Sequence, residues 1–302
     1  MQITFLGTSG SWPTKERNVP AIALKLDGEI ILFDCGEGTQ RQFMHSSLSF
    51  MGVSKILITH LHGDHFLGFP GLIQTMSLNN RVKNLDIYGP VGIRKTIESL
   101  LHIGYFSPTF EINIHELKNN QVVHYPKYDL KAIETAHVVP ALAYCIQEHD
   151  REGKFNLKKA KKLGIPEGPL FSKLQSGESI VVNGKKITPE MVLGGKRKGR
   201  KVVYSGDTKP FKSFINFAKD CDVLIHDGTA STKLEKKANK YGHSSFRQAG
   251  VIAKKCGAQT LFLTHISPRY TDGSEIKKEV RSIFKRAFVA EDFMEYEVKM
   301  RN

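Results

Sequence analysis

Thr59-His60-Leu61-His62-Gly63-Asp64-His65 places four side chains able to bind metal within six residues. The segment follows Val53-Ser54-Lys55-Ile56-Leu57-Ile58, a short run with the branched apolar content of a buried strand. A strand that ends in a tight His-x-His-x-Asp-His turn throws its side chains out at the sheet edge, where they converge. Neutral imidazole and carboxylate suit a borderline divalent ion such as zinc. Along an extended chain His60 and His62 share a face, and the bend at Gly63 lets Asp64 and His65 aim elsewhere. One ion that keeps an open position cannot use all four side chains. Two ions can, provided that further ligands arrive from distant segments.

Three segments supply them. Ile133-Glu134-Thr135-Ala136-His137 ends a strand-like stretch in a histidine, and Leu261-Phe262-Leu263-Thr264-His265 repeats that pattern. Val202-Val203-Tyr204-Ser205-Gly206-Asp207-Thr208 runs an apolar strand into Gly-Asp, which suits a carboxylate at a strand's C-terminal edge. A strand-end His or Asp is by itself most often a turn residue. The same setting recurring at His60, His137, Asp207 and His265 points to one metal-dependent hydrolytic site.

Charge adds a second constraint. The 302 residues carry a formal +14, with a pI near 9.5, which favours a polyanionic partner. Thirteen Lys or Arg between His149 and Arg200 face five acids, so about a sixth of the chain holds a net +8. Within that stretch Lys158-Lys159-Ala160-Lys161-Lys162-Leu163 reads as a short basic helix. The following 164–171, Gly-Ile-Pro-Glu-Gly-Pro-Leu-Phe, reads as a rigid tip, because Gly and Pro break helix and set turns. With little apolar periodicity of its own, 149–200 is expected to be a protruding arm inserted in a single catalytic domain spanning 1–302.

Other features bound the class. The four cysteines, Cys35, Cys145, Cys221 and Cys256, form no Cys-x-x-Cys pair, which is consistent with buried free thiols in a reducing cytoplasm. There is no charged segment followed by an apolar core at the N-terminus, and no apolar run approaches the ~20 residues of a membrane span. Gln2–Gly7 and Ile22–Leu26 are strand-like. Helical spacing is expected over Phe211–Ala218, over Ser245–Lys255 with Phe246, Ala249, Gly250 and Ala253 on one face, and over Glu275–Ala287. No internal repeat is present.

The ligand set resembles that of the metallo-β-lactamase superfamily. The resemblance implies an α/β (α+β) fold, a four-layer αββα sandwich with its metals at one edge of the two sheets. It also implies a division of ligands: His60, His62 and His137 for one zinc, Asp64, His65 and His265 for a second, and the Asp207 carboxylate bridging them. Asp34, in Phe33-Asp34-Cys35-Gly36-Glu37-Gly38, matches the superfamily's first motif, where it orients the metal-binding loop without touching metal. Two Zn2+ per subunit are implied, with Mn2+ or another divalent ion as a substitute.

Within that superfamily the chain is similar to the ribonuclease Z (tRNase Z) family in its short form. The basic arm with a Gly-Pro tip resembles that family's exosite, which clamps the body of tRNA, so Lys158, Lys159, Lys161, Lys162, Gly168 and Pro169 are expected at the RNA. Pro13-Thr14-Lys15-Glu16-Arg17-Asn18 fits its Pro-x-Lys-x-Arg-Asn loop, which puts Lys15, Arg17 and Asn18 near the tRNA 3′ end. Gly242-His243-Ser244-Ser245 resembles its His-Ser-Thr motif, and Ser267-Pro268-Arg269-Tyr270 its Ser-x-Arg-Tyr segment, which adds Arg269. Where the family often has His-Glu-Ala-Thr, this chain has His226-Asp227-Gly228-Thr229, a carboxylate one methylene shorter.

The resemblance implies an endoribonuclease that removes the 3′ trailer from precursor tRNA. Asp64 orients the attacking water, and His243, supported by Asp227, stabilises or protonates the leaving 3′ oxygen, while His226 is structural. A homodimer in which one subunit's arm presents tRNA to the other's site is implied too. Two alternatives fit less of the chain. A small-molecule lactonase or thioesterase of the same superfamily has no need of the arm, and a non-catalytic tRNA-binding protein would have lost ligands.

Overall fold

The computed structural model describes residues 1–301, and the chain forms two compact units. One comprises Met1–Gln147 and Lys201–Lys299, the other Glu148–Arg200 with the chain's final residues from Met300. In chain order the strands are β1 (Gln2–Gly7), β2 (Ala21–Leu26), β3 (Glu29–Phe33), β4 (Val53–Leu57), β5 (Leu85–Gly89) and β6 (Ile112–Glu116). Next come β7 (Val122–His124), β8 (Tyr128–Glu134), β9 (Leu142–Glu148), β10 (Ile180–Val182) and β11 (Lys185–Ile187). The last are β12 (Lys201–Tyr204), β13 (Val223–Asp227), β14 (Thr260–Thr264), β15 (Ala287–Val289) and β16 (Glu295–Glu297).

The larger unit holds two seven-stranded mixed sheets, ordered β16-β1-β2-β3-β4-β5-β6 and β15-β14-β13-β12-β9-β8-β7. In the first, β3 to β6 run parallel. In the second, β12 to β15 run parallel, while β12 meets β9 antiparallel. Side chains from both sheets, among them Phe5, Leu24, Phe33, Tyr144, Tyr204 and Phe262, fill one core between them. Helices α1 (Thr39–His45), α2 (Gly63–Phe66), α3 (Phe69–Leu78) and α4 (Ile93–Leu101) follow the early strands. Phe43, Phe69, Leu72, Met76, Ile93 and Ile97 pack on the first sheet's outer face. The four-layer αββα sandwich of the metallo-β-lactamase fold is therefore present.

Covering both faces explains why the strand signals are runs and not alternations. In β2 only Lys25 is exposed, because Ile22, Leu24 and Leu26 face the central core while Ala21 and Ala23 face the helices.

The smaller unit carries α5 (Leu157–Lys162), α6 (Pro169–Gln175), α7 (Pro189–Val192) and the antiparallel pair β10–β11. Asn156 caps α5, its side chain accepting from the Lys159 amide. Two expectations need correction here. Pro169-Leu170-Phe171 is not part of a turn but opens α6, since Pro at the first helical position gives up no intrahelical bond. The segment also has apolar order of its own: Ala160, Ile165, Leu174, Ile180, Ile187 and Val192 are buried together, with Phe155 and Phe171 against them. Their spacing is irregular because helix, hairpin and turn each contribute only one or two residues.

The second sheet's outer face is covered by helices that come later in the chain, α8 (Lys212–Phe217), α10 (Phe246–Cys256) and α11 (Gly273–Arg281), while α9 (Glu235–Lys240) lies between α8 and α10 in sequence. Phe214, Phe246, Ala249, Ala253, Ile276 and Val280 form the outer core there. A capping box starts α10, Ser245 accepting from the Gln248 amide while the Gln248 side chain accepts from the Ser245 N–H. The last predicted helix is shorter than expected. It ends at Arg281, and Ala287 instead begins β15 beside Leu261 of β14. The Arg281 Nε–H holds that turn by donating to the Ala287 carbonyl at 2.8 Å. All four cysteines are buried and free, and among the described residues no helix is long and apolar enough to cross a membrane.

Candidate metal centre

The predicted ligands, and the carboxylates Asp34 and Asp227 expected to support them, all leave the C-terminal ends of strands. Asp34 follows β3, His60 to His65 follow β4, His137 follows β8, Asp207 follows β12, Asp227 ends β13 and His265 follows β14. Their sheets face each other, so these ends meet at one rim. The ring nitrogens of His60, His62 and His137 converge: His60 Nε2 lies 3.0 Å from His62 Nδ1, and His137 Nε2 lies 3.3 Å from that same atom. Asp64, His65 and His265 form a second group, with Asp64 Oδ2 at 3.5 Å from His65 Nε2 and 3.4 Å from His265 Nε2. Asp207 Oδ2 stands between the groups, 3.6 Å from His60 Nε2, 3.4 Å from His65 Nε2 and 3.2 Å from His265 Nε2. Within each of the sets His60-His62-His137, His60-His65-Asp207 and Asp64-His65-His265, the ligand atoms lie within 4.8 Å of one another.

The tautomers follow from the far side of each ring. The Thr59 hydroxyl donates to Asp34 and therefore accepts from His60 Nδ1–H at 3.0 Å. The Thr229 hydroxyl donates to Asp227 at 2.7 Å and accepts from His265 Nδ1–H at 2.9 Å. His65 Nδ1–H donates to Asp34 Oδ2 at 2.8 Å, and His137 Nδ1–H to the Gly242 carbonyl at 3.0 Å. In all four rings Nε2 is left with its lone pair toward the centre, the arrangement that outer partners impose on metal-binding histidines. Burial, first, and then the neighbouring rings hold His60 well below its ordinary pKa, and burial likewise lowers His62 and His137. Burial alone would raise the Asp64 carboxyl, yet His265 and His65 hold it well below the usual carboxylate range. His65 goes the other way: burial lowers it, but the Asp207 and Asp34 carboxylates raise it well above its ordinary value. It must therefore give up a proton to ligate, since neutral imidazoles and ionised carboxylates are the ligating forms.

The donor set fits divalent metal. Among the described residues, the buried His65 Nε2, His265 Nε2 and Asp207 Oδ1 have no hydrogen-bond partner. Buried polar atoms left without partners are costly, and here all three belong to the convergent groups.

Asp34 is fully buried and belongs to none of the convergent groups. Its carboxylate accepts from the Thr59 amide and hydroxyl, from His65 Nδ1 and from the Tyr204 hydroxyl at 2.8 Å, and its own φ is 55°. A non-glycine residue in that region is strained. The four bonds hold it there and fix the His60–His65 loop.

Beside the metal groups, His243 Nδ1–H donates to Asp227 Oδ2 at 3.0 Å. Asp227 is fully buried and also accepts from the amides of Thr208, Thr229 and Ser244. The shorter carboxylate thus still reaches its histidine. His243 Nδ1, committed to Asp227, lies 3.8 Å from Asp207, and His243 also falls with His137 and Asp207, and with Asp227 and His265, in groups whose donor atoms lie within 4.8 Å of one another. Burial lowers its pKa, the Asp227 and Asp207 carboxylates raise it, and the balance stands at about 9. Gly242 precedes it at φ 77°, and a Cβ there would sit 2.6 Å from His137 Nδ1, so only glycine lets the two histidines approach. His226 lies in the core, its Nδ1 on the Asp227 carbonyl and its ring edge against Phe214.

The expected substrate contacts separate into two groups. Lys15 is exposed. The Arg17 guanidinium is instead turned inward to Thr8 Oγ1 at 2.7 Å and the Ala290 carbonyl at 2.5 Å. Asn18 donates to the Glu37 carbonyl and, through its amide, to Asp292. Those two residues hold the loop's shape. Arg269 is exposed, its Nε on Ser267 Oγ at 3.0 Å, and Lys158, Lys159, Lys161, Lys162, Gly168 and Pro169 are all exposed on the smaller unit.

Residue patterns alone did not single out Thr59, Thr229, Tyr204 or Ser11, whose amide donates to Asp64 Oδ2 at 2.8 Å. Thr59 stood inside a quoted motif next to His60, and Thr229 inside another two residues after Asp227. Tyr204 stood in the quoted run before Asp207, but like the Ser11 amide it reaches the site only through the fold.

Comparison with known proteins is consistent with this geometry. A β-lactamase superfamily domain model matches residues 184–266, and a model of the anti-Pycsar protein Apyc1 matches residues 1–150. The chain is 47% identical over 302 residues to the ribonuclease Z of Methanosarcina acetivorans, covering 100% of this chain and 99% of the relative. It is 46% identical to that of Thermoplasma volcanium, with the same coverage. Among solved structures it is similar to human tRNase Z, short form, with a TM-score of 0.73 and 29% identity over 99% of this chain and 100% of that one. The metallo-β-lactamase fold protein YhfI from Bacillus subtilis, at TM-score 0.70 and 18% identity over 98% of each chain, shares the fold.

Proposed function

The chain belongs to the ribonuclease Z family, and we propose from that membership and the rim geometry that it cuts precursor tRNA after the discriminator nucleotide. The observation that carries the reading is Asp207 set between a three-histidine group and an Asp/His group, with the Asp227–His243 pair alongside. His60, His62 and His137 would hold one ion, Asp64, His65 and His265 a second, and Asp207 both. Two zinc ions, or manganese in their place, would supply a nucleophile at neutral pH and neutralise charge on the phosphate.

The chain's own residues do the rest. Asp64, kept ionised and fixed by the Ser11 amide, orients the attacking water. His243, charged at neutral pH, donates the Nε2 proton to the 3′ oxygen as its bond to phosphorus breaks. Asp227 fixes the ring and stabilises its charge. The products are a tRNA with a free 3′ hydroxyl and a trailer with a 5′ phosphate.

We read the basic smaller unit as the part that meets the tRNA body, whose A-form grooves favour recognition by phosphate and shape. A homodimer fits the apolar side chains Met44, Leu67, Leu78 and Val82, which are exposed in or close in sequence to α1 and α3. Free, buried cysteines suit work in the cytoplasm.

The deciding experiment is cleavage of a 3′-extended precursor tRNA by the wild type and Asp64→Ala, with zinc, with manganese and with chelator. Metal-dependent cutting after the discriminator, lost in Asp64→Ala, is expected. Tight binding with no cutting under any metal would contradict the enzymatic reading.

A further inference from the structure

A cleft of about 330 Å³ opens beside His243, within the larger unit, and is lined by Trp12, Lys237, Tyr241, Ser267 and Arg269 among others. Two aromatic side chains there stay open to solvent, Trp12 at 60% and Tyr241 at 54%. Large aromatics left exposed together at a concave site mark a binding surface more than a core. Lys237 and Arg269 are exposed too, and among the described residues neither has a carboxylate within ion-pair distance.

Trp12 is held in place. Its N–H donates to the Gly10 carbonyl at 2.9 Å, and its carbonyl accepts from Ser9 Oγ at 2.8 Å. Ser11 between them has φ 68°, a strained setting for a serine. The same Ser11 amide is bound to Asp64, and a Cβ on Gly10 would sit 2.6 Å from the His265 ring. The turn that presents the indole is therefore built onto the metal-site residues themselves. Tyr241 is fixed in a similar way, its amide on the Ala238 carbonyl at 3.0 Å and its chain continuing directly into Gly242 and His243.

We propose that this cleft receives the nucleoside on the leaving side of the cut, with its base stacked on Trp12 next to Tyr241 and its 5′ phosphate met by Arg269 and Lys237. The assignment rests on His243 acting at the leaving oxygen. That oxygen is the 3′ oxygen of the last retained nucleoside, so the cleft His243 lines takes that nucleoside and not the first of the trailer. Stacking accepts any base, because every base has a π-face.

Trp12 is the only tryptophan in the chain, so its fluorescence reports the cleft directly. The test uses metal-loaded protein and two product-like RNAs, a tRNA ending at the discriminator and the same tRNA with an abasic discriminator. The intact RNA is expected to quench the fluorescence. The abasic RNA should leave it unquenched and bind about tenfold to a hundredfold more weakly, the range found for one stacked base. In cleavage, Trp12→Ala should raise KM by a similar factor with kcat little changed, Trp12→Phe should recover most of the loss, and neither should weaken an abasic precursor further. Equal quenching by both RNAs, quenching by neither, or an unchanged KM in Trp12→Ala would overturn the proposal. Failure of the reaction reading is seen separately, as wild type that cuts no precursor with any metal.

Discussion

His243 and Asp227 are where single-residue chemistry is most exposed to test. The imidazole, at about 9, is protonated at neutral pH and loses its proton as pH rises. Activity that needs a proton donor should therefore hold up to that value and fall above it. Asp227→Asn removes the carboxylate that raises the pKa and leaves the burial that lowers it, so the alkaline limb of kcat should move toward lower pH. A limb that stays in place would take His243 out of the proton transfer. The same scale separates residues that look alike in a motif. Arg17 and Lys15 sit two positions apart, yet Arg17 is spent on Thr8 and Ala290 while Lys15 faces water. Motif matching names both, because spacing does not say which way a side chain turns.

Among the elements, α5 carries the clearest prediction. Its Lys158, Lys159, Lys161 and Lys162 are exposed, while Ala160 and the nearby Ile165 belong to the smaller unit's core. Deleting the segment would remove that core, so substitution is the cleaner probe. Changing all four lysines to alanine should raise KM for precursor tRNA and lower the slope of log affinity against log salt. Each lost phosphate contact contributes roughly 0.7–0.9 to that slope. Turnover of bis-(p-nitrophenyl) phosphate should be little affected. Equal loss on both substrates would assign the helix to folding. The elements also mark the limit of periodicity as a guide. The ends of β4, β12 and β14 were legible because branched apolar runs stop at Gly, His or Asp. α11 was overextended because charged helical spacing continues past Arg281, and only pairing of Ala287 with Leu261 ends it.

For the larger unit taken whole, the convergent ligands couple metal to stability. Bringing several imidazoles and carboxylates together with their lone pairs inward gains little without a cation, and an ion bound only by the native state stabilises it. At a hundredfold excess over its dissociation constant an ion adds about 2.7 kcal/mol, or roughly 5–10 °C in a unit of this size. The thermal midpoint should rise with zinc and fall by that order with chelator, and a midpoint indifferent to both would argue against the centre. The sequence by itself determined the chemistry, since His60, His62, Asp64, His65, His137, Asp207 and His265 announce themselves by type and by their place after apolar strands. It also determined the basic character of 149–200. Only the tertiary structure decided which ring nitrogens face inward, and that Tyr204, Thr59, Thr229 and the Ser11 amide hold the groups in place. Residue type and local spacing are properties of one segment. Distances between strand ends and the second partner of each ring exist only once two sheets have packed face to face.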